Sequence, residues 1–153
     1  MLYEIVKTVH ILSATVLFGT GLGTAWFMWR ADRSGDVAMI AATARNVVLA
    51  DWLFTTPAVI VQPLSGFWLI HLVGHAPMEP WLLWTYGLYA LAAACWVPVV
   101  WLQIRMRDLA ATARANGASL PPGYRRLARV WFLLGWPAFL AVVAIVFLMV
   151  AKP

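Results

Sequence analysis

Charge is scarce in this chain. Of 153 residues, 11 are Lys or Arg and 6 are Asp or Glu, so only 11% are charged. A soluble domain of this size needs more charge than that to cover its surface. Cysteine is nearly absent as well. Cys95 stands alone, which excludes an intrachain disulfide. No C-x-x-C-H occurs, and that excludes covalent c-type haem attachment through the motif. No stretch alternates polar and apolar residues as a half-buried strand would. No matched motifs point to an internal duplication, and the chain is short for a transporter built from repeated halves. The first apolar run has no basic segment before it and no clear A-x-A site after it, so it is expected to be a retained helix rather than a removed signal.

What fills the chain instead is apolar. Hydrophobic residues make up 63%, with 10 Trp among them, and the mean hydropathy is +0.81. Crossing a bilayer takes about 20 such residues as a helix. Four runs qualify: residues 2–29, 52–73, 81–104 and 130–151. Lipid admits only helices or closed barrels, so the expected fold is an all-α integral membrane four-helix bundle with four spans in one domain. The net charge of +5 does not point to nucleic acid, because the basic residues sit in short loops between apolar runs. Arg30, Arg33 and Arg45 flank the first loop, and Arg105, Arg107, Arg114, Arg125, Arg126 and Arg129 fill the third. The second loop has Glu79 and no Lys or Arg. The positive-inside rule then places loops one and three in the cytoplasm and both termini outside, as in a bacterial inner-membrane protein.

Two helices are expected to outrun the membrane on the cytoplasmic side. Asp36 is placed to cap a helix starting at Val37, and Asn116-Gly117 is placed to stop the third helix after Ala115. Pro57, Pro63, Pro98 and Pro137 fall inside spans, where each removes a backbone donor.

Ionisable groups inside a span are costly and mark candidate sites. His10 and His71 lie on different helices at roughly matched depth, counted from the expected span ends at 1.5 Å per residue. Such a pair can ligate a haem iron from both faces. Lys7, one turn from His10, is a candidate partner for a haem propionate. His71 and His75 have the i, i+4 spacing of a metal-chelating pair, giving an alternative metal site. The bland reading of each histidine is a hydrogen bond across helices or a solvated position. A second cluster gathers Arg45, Asp51, Thr55, Thr56, Gln103 and Arg105 near the inner boundary. Its simplest reading is an ion pair between Asp51 and arginine. The other is a polar pocket for a quinone head group or another small ligand. Gly19 and Gly23 form a G-x-x-x-G that would serve close packing in the bundle or in a homo-oligomer. Most Trp residues sit at the two expected interfaces as anchors, while Trp96 and Trp136 lie deeper. The six Met are scattered, unlike the thioether ladder of a Cu(I) carrier.

Four segments carry a family resemblance: Lys7-Thr8-Val9-His10-Ile11-Leu12-Ser13, Asp51-Trp52-Leu53-Phe54-Thr55-Thr56-Pro57, Cys95-Trp96-Val97-Pro98 and Gly135-Trp136-Pro137. Over essentially the whole chain they resemble a bacterial family of integral membrane proteins, the domain-of-unknown-function family 2269. That resemblance implies a four-helix membrane fold and no settled activity. Lys7-x-x-His10, with the small residues and basic end of the first run, is also similar to the first helix of haem-carrying membrane protoporphyrinogen oxidases and of CopD-type membrane domains. This narrower likeness implies haem binding at Lys7 and His10. The expected function is therefore a haem b protein in electron transfer, with His10 and His71 as axial ligands in the outer half of the membrane and a quinol or porphyrin-type molecule as donor. The alternatives are a metal-handling component using His10, His71 and His75, and a structural or assembly subunit bound to a membrane partner protein.

Overall fold

The computed structural model describes residues 1–152. Among them there are five α-helices and no strand: α1 (Leu2–Ser34), α2 (Val37–Ala50), α3 (Thr56–Val73), α4 (Pro80–Ala115) and α5 (Pro122–Ala151). A single π-turn, Asp51–Thr55, joins α2 to α3 without a break, so one rod runs from Val37 to Val73. Four rods result, each long and apolar enough to cross a membrane. The molecule is a four-helix membrane bundle.

The helix ends follow from local chemistry. α1 stops where Gly35 takes a left-handed conformation, φ 69°, which a glycine adopts at little cost. The Asp36 carboxylate then accepts hydrogen bonds from the backbone N–H of Ala38 at 2.8 Å and Met39 at 3.4 Å, capping α2. Gly74, φ 76°, ends α3, and Asn116 with Gly117, φ 60°, ends α4. Proline opens both later helices, at Pro80 and Pro122, where its missing N–H removes nothing from the ladder.

Packing is tightest at the arginine-rich end. There Met28 and Ala31 of α1, Ile40, Ala44 and Val47 of α2, and Met106 and Ala110 of α4 make one buried cluster. Alanine at three of these contacts lets the backbones approach closely. Tyr124 of α5 is buried against the same cluster, and its hydroxyl donates to the Asp32 carboxylate at 2.7 Å. Further along, the bundle sorts into two pairs, α1 with α3 and α4 with α5. Two contacts bridge α3 and α4. The Tyr89 hydroxyl donates to the Val59 carbonyl at 2.5 Å, and the rings of Phe67 and Tyr86 meet at 5.5 Å. Val59 is four residues before Pro63, so its carbonyl has lost its helical donor. Tyr89 supplies the replacement.

The loop opposite the arginine-rich end is a small polar knot. Glu79 accepts hydrogen bonds from the indole N–H of Trp81 at 2.6 Å, from His75 at 3.0 Å and from the Ala76 backbone at 3.1 Å. The Trp81 and His75 bonds hold the Glu79 carboxyl below the usual carboxylate range.

Candidate functional site

The histidines do not come together. His10 turns onto α3. Its Nδ1 meets the Ser65 hydroxyl at 2.9 Å and its Nε2 meets the Gln62 side-chain nitrogen at 3.1 Å. Ser65 donates its own proton to the Val61 carbonyl at 2.7 Å, so it accepts from His10 and the imidazole proton sits on Nδ1. The Gln62 amide then donates to Nε2, and Ser13 donates to the Gln62 oxygen. Every member of this network has a partner, which is how polar groups are tolerated in lipid. Gly66 gives the ring room, since a Cβ there would stand 3.2 Å from it and press it aside by a few tenths of an ångström.

His71 lies six residues beyond Ser65 on α3, about 9 Å further along the axis, and its side chain is exposed. Matched depth with His10 is therefore not observed. The boundaries counted in the sequence gave a different register from the one Gly66 sets. Lys7 is exposed and lies over the Tyr3 ring, 5.5 Å from its centroid, so it does not face His10. His75 follows the end of α3 and pairs with Glu79 rather than with His71. No group of three or more His, Cys, Asp or Glu among the described residues is placed to hold a metal ion.

The expected ion pair of Asp51 is also corrected. Asp51 is buried, yet no Arg or Lys of the described residues bridges to it. Arg45 and Arg105 are exposed, and Arg105 lies over the Trp101 ring instead. One carboxylate oxygen of Asp51 accepts from the Thr55 hydroxyl at 2.8 Å, one turn on. Thr56 is half-buried and only Thr55 shares this contact. The π-turn spans these residues. Such turns inside helices are frequent at functional sites, because the extra residue re-aims the side chains around it.

Asp51 and Thr55 border a cavity of about 270 Å³ lined by α1, the π-turn, α3, α4 and α5. Its walls are apolar, and Gly21, Ala92, Ala93, Gly135 and Ala138 make the room. Its polar end holds Asp51, Gln103 and Trp131, with Trp96 on the wall above. Four atoms of these side chains are closed to solvent and have no hydrogen-bond partner: Asp51 Oδ2, Gln103 Oε1, Trp96 Nε1 and Trp131 Nε1. Buried polar groups are nearly always paired, and each unpaired one costs about 1–3 kcal/mol. All four belong to side chains that line the cavity, two acceptors and two indole donors. Sequence reasoning named Asp51, Thr55 and Gln103 together. It did not bring Trp131 or Tyr89 to them, because their membership depends on helix register and leaves no local motif.

Residues 4–153 match a protein family described as a predicted integral membrane protein, DUF2269. The chain belongs to this family. No curated protein and no solved structure matches it. For this DUF2269 member, the geometry of the cavity is thus the starting point for function.

Proposed function

We propose that this DUF2269 protein binds a membrane-dissolved small molecule whose polar ring sits at the Asp51–Gln103–Trp131 end of the cavity, the class being quinone or quinol. The observation that carries this reading is that four side chains lining one apolar cavity each hold a buried polar atom without a hydrogen-bond partner. A quinone carbonyl accepts from an indole N–H, and a quinol hydroxyl donates to a carboxylate or an amide oxygen. A site with both donors and acceptors suits a ring that carries both kinds of group. The aromatic walls from Trp96, Trp131 and Phe139 offer faces for stacking. By the positive-inside rule the arginine-rich end is cytoplasmic, so the site lies in the inner half of a bacterial inner membrane.

The test is binding of a short-tailed quinone to the protein in nanodiscs, read by tryptophan fluorescence against empty nanodiscs. Saturable quenching is expected. Gln103→Leu and Asp51→Ala each remove a hydrogen-bonding group and should weaken binding about tenfold or more. Quenching that does not saturate, or that is unchanged in both variants, would sink the reading.

A second reading rests on His10. Donation of its Nδ1–H to Ser65 is the arrangement that orients a metal-ligating imidazole and leaves Nε2 for the metal. Exchange of the Gln62 amide for iron would make His10 an axial ligand of haem b, and the redox chemistry would be the cofactor's. The cavity itself is lined by no His, Met or Cys, so haem would sit apart from it. This reading requires a Soret band after haem-replete expression and its loss in His10→Ala. A sample without the band rejects it.

A further inference from the structure

We infer that the ligand reaches the cavity from the bilayer through a lateral portal between α1 and α5 and leaves a long apolar tail in that portal. The inference rests on the cavity reading above and names the kind of molecule that fits it.

The cavity wall is not uniform. Its lining residues from the π-turn, α3 and α4, such as Thr55, Val59, Tyr89 and Trp96, are all buried or half-buried. The lining residues that are also exposed number five: Phe18, Gly21 and Leu22 on α1, and Phe132 and Trp136 on α5. One side of the cavity is therefore the lipid-facing surface as well. Leu22 is 50% exposed and Trp136 52% while both still line the space within. Gly21 and Gly135 both line this side, and a Cβ on either would meet nothing within 4 Å. Above them the rings of Phe18 and Phe139 meet at 5.2 Å and bridge the two helices. Aromatic rings on single bonds can swing aside without moving a helix.

Size decides what passes through. About 270 Å³ falls below the roughly 300–1,000 Å³ of pockets that enclose a drug-sized molecule. A ring fits and a polyprenyl chain does not. A tail left in the portal contacts hydrocarbon on one side and Phe, Leu and Trp on the other, and lipid is as apolar as those side chains. The site thus takes a long-tailed molecule by its head alone.

The experiment uses the full chain in nanodiscs with a polyprenyl quinone carrying a photoreactive diazirine on the first tail unit. Labelling that excess unlabelled quinone displaces is expected on peptides holding Phe18 to Leu22 and Phe132 to Trp136. Gly21→Trp, which fills the portal, should lower that labelling about tenfold, equivalent to one decade in affinity. Displaceable labelling on α3 or α4 overturns the portal and leaves the cavity reading standing. Absence of any displaceable labelling overturns both. If Gly21→Trp fails to fold, the label positions on the wild-type protein decide alone.

Discussion

A single side chain in this bundle can repair a backbone defect as well as build a site. Tyr89 is the clearest case, because its hydroxyl serves a carbonyl that Pro63 has stripped of its donor. Tyr89→Phe should then cost about 1–3 kcal/mol, the penalty for leaving a buried acceptor unsatisfied. Tyr86→Phe is the matched control. The Tyr86 hydroxyl is buried without a partner, so its removal should cost nothing or stabilise. Thermal unfolding in detergent, read by near-UV circular dichroism, separates the two. Restoring the backbone donor with Pro63→Ala should shrink the Tyr89→Phe penalty, and additive losses in the double variant would refute the repair. The sequence exposed Pro63 and the polar Tyr89 but not their pairing, since they come from helices that hardly touch elsewhere. His10 was legible in the same partial way. Its place inside an apolar run marked it as special, whereas its true partners, Ser13, Gln62 and Ser65, were hidden among small and polar residues with no spacing rule to join them.

At the level of elements, the capping residues were readable and the π-turn was not. Asp36 and Gly117 act through a residue or two of local geometry, which sequence displays directly. The π-turn at Asp51–Thr55 depends on what the rod must do at both ends. α2 packs its alanines on α4 and α1, while α3 must turn Ser65 and Gly66 onto His10. One extra residue between the halves reconciles the two faces, and Pro57, lacking an N–H, lies just beyond it. Deleting Leu53 should close the turn into ordinary α-helix. The turn holds one residue more than an ordinary α-helical turn, so the deletion would keep α3 on course while resetting the side chains within the turn, Thr55 against Asp51 above all. Far-UV circular dichroism should stay within a few per cent of wild type, since the helix persists. Quinone binding should be lost, because Asp51 would lose its Thr55 partner and its aim at the cavity. Retained binding after the deletion would show that the π-turn does not set the site.

Over the whole molecule, charge and cavity share an axis. All the lysine and arginine except Lys7 and Lys152 lie at one end, so nine arginines surround the packed cluster of Met28, Ile40 and Met106. Among the described residues, Arg107 is the one arginine in an ion pair, with its neighbour Asp108 at 2.8 Å. Arginines so placed resist crossing the membrane during insertion, which fixes the orientation. The same end holds the polar floor of the cavity, so orientation decides which leaflet supplies the ligand. Impermeant maleimide on intact cells tests it in a Cys95→Ser background, where the one buried thiol is removed. Ala76→Cys lies in the loop after α3 and Ser119→Cys in the loop before α5, both at exposed positions. Ala76→Cys should be labelled from outside and Ser119→Cys only after permeabilisation. The reverse pattern would move the Asp51 end, and with it the portal between α1 and α5, to the outer leaflet. Quinone exchange would then have to be measured against lipids of that leaflet, because a portal that opens sideways samples only the layer it faces.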